Sequence, residues 1–452
     1  MRKLTALILI GVLSPSLGGL FANTIHVSPI GSGDQRTNIQ AAFDAALPGD
    51  VVQLSNEVFE LSGVPGKYYA LKMPAGVTLR GPATLRRAGA SPAGTTVLFL
   101  DGADHAIVTN LTIDGNRDAQ VVNEHSHGLI VFQSQGVEIT NVNSSNNPGD
   151  GVYVYTGTAN LRVSDLSVSR NGRNGMTLGG SATDILVKDS RFFRNDVQQF
   201  DTEPGGTSSV SDVELTGCTF DAQGVTQVFV ISIAGSEINT RTHRYSIHDN
   251  IINGGVEVVW ADEVQVVNNT GTNPTIFPSV AVYRNCSDVN IEGNRFTMVQ
   301  DTHDAVGVIY ASGTDTGGVN QLRIKNNRLV TVSSRQQNGV RLEGIESAIV
   351  VGNDIRGSGR ANNGAGVYLR ATNPALAFRS AVIVGNSILN SGLAGIFCMG
   401  NGTAELTQLV ITDNVFDNDG GAMTAATNLD ADGTGAAKSV LVSGSVMLNG
   451  VH

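Results

Sequence analysis

The stretch GLIVFQSQGVEITNVNSSNNPGDGVYVYTGTANLRVSDLSVSRNGRNGMTLG, Gly128 to Gly179, repeats itself. "GLIVF" at Gly128 returns as "GVYVY" at Gly151 and as "GMTLG" at Gly175, at steps of 151 − 128 = 23 and 175 − 151 = 24 residues. Each copy starts on a small residue and then alternates apolar with variable positions, the period of a strand with one buried face. A strand this short cannot bury that face alone. Stacked coils can, each bonded to the coils on either side. The spacing therefore predicts an all-β chain, a parallel β-helix.

The same pattern continues as "GVEVV" at Gly255, "SVAVY" at Ser279, "GVRLE" at Gly339, "GVYLR" at Gly366 and "GIFCM" at Gly395, with longer steps where a loop intervenes. Between these copies runs an alternating strand that ends in Asn: "YSIHDN" to Asn250, "VNIEGN" to Asn294, "LRIKNN" to Asn327, "IVVGN" to Asn353, "VIVGN" to Asn386 and "VITDN" to Asn414. Turn preference alone accommodates Asn. Its regular return predicts more, a ladder of stacked amides bonded coil to coil.

Residues 23–100 differ from the coils of 101–452. "TNIQAAFDAALPGD" places Ile39, Ala42, Phe43 and Ala46 at helical spacing, with Thr37 as N-cap and Pro48-Gly49 as stop. A helix there would cap the exposed end of the core. At the other end, "SVLVSGSVMLNGVH" reads as one more coil.

Composition narrows the function classes. The 452 residues include 54 Gly and 12 Pro, and the net charge is -11. An acidic chain argues against a nucleic-acid partner, which needs a basic surface, while a local basic cluster could still meet an anionic sugar. The start, "MRKLTALILIGVLSPSLGGLFANT", puts Arg2 and Lys3 before an apolar run and reads as a signal peptide over 1–22. Pro15, Ser16 and two glycines break that run, so it spans a membrane poorly. No transmembrane segment is expected, and the protein is read as secreted or periplasmic. Cys218, Cys286 and Cys398 fit neither a disulfide framework nor a zinc spacing.

The helix "NIQAAFDAALPGD" with the following "GVTLRG", and the run from "HGLIVF" through "NGRNGMTL" to "FDTEP", resemble the secreted right-handed parallel β-helix proteins of the pectin-lyase-like superfamily. The "FDTEP" coil is similar to a subgroup whose corresponding coil reads Gly-Ile-Asp-Ile-Glu-Pro. The resemblance covers most of residues 24–452 and implies the right-handed fold. It does not imply a reaction, because this fold carries lyases, hydrolases, epimerases and non-catalytic spikes. Of the polygalacturonase blocks only "RIK" occurs, at Arg323 to Lys325. The Asp-Pro-His block of alginate epimerases is absent. The pectate-lyase Trp-Ile-Asp-His block is echoed only by "WADE" at Trp260 to Glu263, without the His.

One coil breaks the strand rule. In "NDVQQFDTEPGG", Asn195 to Gly206, two acids stand two apart where strands avoid acids. The step 199 − 175 = 24 puts "QFDTE" under "GMTLG". Phe200 and Thr202 then point inward, and Asp201 and Glu203 outward onto one exposed face. Ile130, Tyr153, Thr177 and Asp201 form one outward column. Phe132, Tyr155, Gly179 and Glu203 form the next, with a gap at the glycine. His127, Asp150, Asn174 and Gln198 share the turn before the strand, Arg173 is beside them, and Arg117 and Asp114 are near in sequence. Two readings follow. In glycoside hydrolysis Asp201 and Glu203, with Asp150 as a third acid, supply proton donor and base. Their ~6.6 Å Cα spacing suits inversion, which needs ~6.5–9.5 Å between carboxyls, better than retention at ~5–5.5 Å. In β-elimination from a uronate, His127 or Tyr153 takes the proton and Arg173 neutralises the carboxylate. Asp150, Asp201 and Glu203 could then hold a Ca²⁺. Tyr153, Tyr155, Arg173, Asn174 and Arg117 are the expected sugar contacts. The expectation is a polysaccharide-active hydrolase or lyase. The alternative is a glycan-binding or adhesive spike with no turnover, in which the acids are plain surface and His127 and Asp150 only cap turns. Neither the polysaccharide nor the oligomeric state can be read from these residues.

Overall fold

The alternating segments stack with their own kind. A computed structural model describes residues 22–89, 91–223, 229–236, 240–299, 307–313, 317–332, 337–358, 364–371, 378–399, 406–418, 423, 425–429 and 440–448. The run read as a leader, up to residue 21, lies outside them. Strands of the "GLIVF" type form a 14-stranded sheet from Tyr69–Met73 to Ala425–Asn428, and the intervening strands form a 28-stranded sheet, every pairing parallel. Val152 pairs with both Leu129 and Met176, so one inward column carries Leu, Val and Met, all fully buried. Each such side chain contributes about 1.5–3 kcal/mol by leaving water.

The recurring glycines are packing requirements. A Cβ on Gly151 would stand 2.3 Å from Val168 Cγ1 and 2.8 Å from the Gly175 carbonyl, and one on Gly175 would stand 2.4 Å from the Gln199 carbonyl. Only glycine lets the turn approach the next coil this closely.

The asparagine ladder is present and longer than the spacing suggested. Side-chain amides run Asn250 → Asn269 → Asn294 → Asn327 → Asn353 → Asn386 → Asn414, each Nδ2 donating to the next Oδ1 at 2.9–3.0 Å. A second ladder, Asn147 → Asn171 → Asn195, ends on Gln199 Oε1, just before the acidic strand. These amides are buried, where an unpaired polar group is costly and a paired one anchors its coil.

The capping helix spans Arg36–Ala45 and buries Ile39, Ala42 and Phe43 against the first coil. Thr37 is inside it, so the expected N-cap is corrected. Gln35 is the N-cap residue, and its side chain instead ties back the loop at Ile30 and Gly33. Asp34 Oδ1 receives the Arg36 N–H at 3.0 Å. At the far end Val440–Ser443 and Val446–Leu448 form the last pair of strands, their apolar residues exposed. Among the described residues no helix is long and apolar enough to cross a membrane.

Candidate functional site

The register of four strands, Leu129–Phe132, Val152–Val154, Met176–Gly179 and Phe200–Glu203, brings the acids to one face. Ile130, Tyr153, Thr177 and Asp201 align across successive coils, and Gly179 pairs with Glu203. Phe200 and Thr202 are the inward pair, as their alternation required. Thr202 Oγ1 meets the buried Tyr245 hydroxyl at 3.0 Å, which satisfies both polar groups inside the core.

The turn before these strands is a ladder of its own. Asp150 N–H donates to His127 Nδ1 at 3.1 Å, Asn174 N–H to Asp150 Oδ1 at 2.9 Å, and Gln198 N–H to Asn174 Oδ1 at 3.0 Å. Each side chain thus accepts the backbone N–H of the same place one coil on. His127, Asp150 and Asn174 are all buried. With Nδ1 accepting, the neutral ring carries its proton on Nε2. The 3.4 Å approach of Nδ1 to Asp150 Oδ2 is therefore no ion pair. Burial pulls His127 down to about 3, and the charge of Arg173 adds to this.

Both acids point outward, but only Glu203 is exposed. Asp201 is 4% exposed, which corrects the expectation of two acids on an open face. Its cover comes from the preceding coil: Asn174 Nδ2 donates to Asp201 Oδ2 at 2.9 Å, and to Thr177 Oγ1 at 3.0 Å. The Thr202 N–H closes on Oδ1 at 2.9 Å. Burial first, then the adjacent Glu203 carboxylate and a hydrogen bond to it, push Asp201 well above the usual carboxylate range. Asp201 and Glu203 thus form one electrostatically linked pair on the strand.

Arg173 joins this unit to the turn. Nη1 donates to Asp150 Oδ2 at 2.8 Å and Nη2 donates to Glu203 Oε1. Burial alone would lower the Arg173 guanidinium, but Asp150 and Glu203 outweigh it and hold it up. Burial pushes Asp150 up to about 7, against the pull of Arg173 and the Asn174 N–H. Asp150 is fully enclosed, out of reach of any polymer, and braces Arg173. Arg117 is drawn away to Asp196 and does not join the acids.

Aromatic rings line the N-terminal side of the pair. His127 stacks on Tyr153 at 4.8 Å, Tyr153 on Tyr155 at 5.4 Å, and Tyr155 on Phe132 at 6.0 Å. The file continues to Phe99 and Tyr69 at 6.3 and 5.5 Å. Gly179 does not leave an open gap, as its column suggested. A Cβ there would meet Tyr155 Cδ2 at 2.8 Å and the Tyr153 hydroxyl at 3.0 Å, so the tyrosines fill the space and lean toward Glu203. Burial and the nearby Glu203 push the Tyr153 hydroxyl up, away from phenolate. Phe99 and Tyr69 were missed in the sequence, although "VLFLD" and "YALKM" carry the right alternation to place them.

Among the described residues no group of three or more His, Cys, Asp or Glu side chains is placed to hold a metal ion. The guanidinium of Arg173 stands between Asp150 and Glu203, where a shared Ca²⁺ would have to go, so the three acids do not fit that ion.

The family model described as "Right handed beta helix region" matches residues 96–271. No curated protein matches the chain. Among solved structures, a double mutant of the tailspike protein of E. coli bacteriophage HK620, in complex with a pentasaccharide, is similar at 13% identity and TM-score 0.52, covering 92% of this chain and 78% of that one. The A-module of the Azotobacter vinelandii mannuronan C-5 epimerase AlgE4 is similar at 17% identity and TM-score 0.44, covering 89% and 96%. The Yersinia enterocolitica family 28 exopolygalacturonase follows at 10% and 0.44, covering 94% and 78%. At such identities the likeness is one of fold. With its parallel sheets, its stacked asparagines and this match over residues 96–271, the chain has the right-handed parallel β-helix fold.

Proposed function

We propose that this protein hydrolyses a glycan on the outer face of its 14-stranded sheet, with Asp201 and Glu203 as the working carboxyls. The observation that carries this reading is a buried acid, Asp201, set two residues from an exposed one, Glu203, on the same rigid strand. In this reading the two share one proton, because burial and the Glu203 charge both oppose ionisation of Asp201. The pair can pass that proton through Glu203 to the glycosidic oxygen as the bond breaks. The negative charge left behind faces the oxocarbenium-like transition state, and water entering from the open side completes hydrolysis and returns a proton to the pair. Arg173 orients Glu203, and Tyr153 and Tyr155 offer ring surface to a sugar. Asn174 fixes Asp201. His127 and Asp150 act through others, as positioning residues.

Elimination is less well supported. It needs a base, yet the Nδ1 lone pair of His127 is already used and burial holds Tyr153 protonated. The stacked rings would also serve a glycan-binding or adhesive protein without turnover. A polymeric substrate agrees with secretion or a periplasmic place, which we propose from the basic and then apolar start of the chain. The test is incubation of the full chain with a polysaccharide panel, reading reducing ends and the absorbance of unsaturated uronides, with and without chelator. Hydrolysis gives new reducing ends, no absorbance and no chelator effect. A binding protein retains polysaccharide and releases no ends.

A further inference from the structure

Beyond the acid pair, the same face opens into a recess of about 470 Å³, lined by Ala234, Glu257, Val259, Tyr283, Arg284 and Ser312. Register places it. Phe200 pairs with Ile231, so Ser232 and Ala234 continue the columns of Asp201 and Glu203 by one coil. Ser232 is followed by Glu257 and Ala281, and Ala234 by Val259, Tyr283 and Ser312. Glu257 therefore stands two coils from Asp201 in the same column, ~10 Å along the axis. The small side chains Ser232, Ala234 and Ala281 keep the floor low.

Three kinds of chemistry converge above that floor. The carboxyl of Glu257 has one hydrogen bond among the described residues, a long 3.5 Å contact with Ser232 Oγ, so its lone pairs remain available. Tyr283 is held edge-on by Phe229 and Tyr310, at 6.4 and 5.7 Å, which fixes its ring before any ligand arrives. The Arg284 guanidinium is exposed and braced 5.1 Å above the Trp260 ring. Burial raises Glu257, while Ser232 and the Arg284 charge pull it back. Acceptor, ring face and donor are what a sugar unit requires. Glu203 is paired with Arg173, and Glu257 faces the charge of Arg284, so this run of sheet carries no excess of positive charge for an anionic sugar.

We propose that this recess binds a neutral, hydroxyl-bearing sugar unit of the glycan chain held at the acid pair, with Glu257 accepting from hydroxyls, Arg284 donating to a sugar oxygen and Tyr283 lying against the ring. It rests on the reading that this face takes a glycan, and it adds where the chain runs and which sugar class fits. The test uses the full chain carrying Asp201→Asn and Glu203→Gln, titrated with neutral gluco-, galacto- and manno-oligosaccharides from disaccharide to octasaccharide and with an oligouronate series. The expected result is saturable binding within the neutral series. Adding Glu257→Gln, Arg284→Ala or Tyr283→Ala weakens it roughly tenfold or more, as loss of a charged hydrogen bond implies, and the loss grows with chain length. Glu257→Gln preserves shape, so its effect is not one of misfolding, and melting curves check the other two. Binding indifferent to all three substitutions, a preference for the oligouronates, or no binding at all would overturn the proposal. If only the catalytic reading fails, Glu203→Gln alone keeps turnover while the recess variants still lose affinity.

Discussion

Asp201 and Glu203 stand two residues apart on one strand, yet only Glu203 reaches solvent. The strand aims both outward. The difference comes from the preceding coil, whose Asn174 amide roofs Asp201 while Gly179 beside Glu203 offers no side chain. The pair is thus asymmetric in burial, and in the proposed hydrolysis Asp201 is the proton store and Glu203 the contact.

The first prediction concerns the pH profile. Folding raises the Asp201 pKa, so the pair keeps its proton above the usual carboxylate range. Activity that uses this proton is full below the raised titration and falls as pH rises through it. Asp201→Asn removes the store and should cost about 10²–10⁴ in turnover. The rate–pH curves of wild type and variant check this. A variant that keeps both rate and alkaline limb places the proton elsewhere.

His127 should be a neutral Nε2–H tautomer throughout pH 5–8, visible in its ¹⁵N shifts. Folding lowers its pKa to about 3. As pH falls below the unfolded value of about 6.5, the unfolded chain gains a proton that the folded chain refuses. Stability is therefore lost toward acid, by about 2 kcal/mol at pH 5. Urea unfolding of His127→Gln should show a smaller loss between pH 7 and 5 than wild type. An equal loss would assign the acid sensitivity to other groups.

Asn327→Ala tests the ladder. Asn327 accepts the Asn294 N–H and Nδ2, and donates to the Ile291 carbonyl and Asn353 Oδ1. Truncation removes bonds to buried partners in the two neighbouring coils and should cost about 2–4 kcal/mol in urea unfolding. A change under about 0.5 kcal/mol would make the ladder incidental.

Much of this was legible in the sequence. The steps of 23 and 24 predicted the coils, and the register Tyr153–Thr177–Asp201 follows from them residue by residue. Burial of Asp201 was not legible, because its cover is a turn side chain from another coil, and alternation reports direction without cover. The bridge through Arg173 was hidden for the same reason. The recess at Glu257 was obscured by loops of unequal length. The step from Phe200 to Ile231 is 231 − 200 = 31, and only pairing puts Ala234 beside Glu203. Thr37 misled because any Thr before an apolar run suits a cap, while Asp34 was already closer to the first free N–H.

The most direct measurement is turnover by Glu203→Gln on whichever polysaccharide the wild type degrades. The side chain keeps its shape and is 42% exposed, so melting should move by no more than about 0.5 kcal/mol in stability. Release of reducing ends should fall by about 10²–10⁴. Wild-type turnover in Glu203→Gln would contradict the account, and would leave the acid pair as part of a surface that holds glycans without cleaving them.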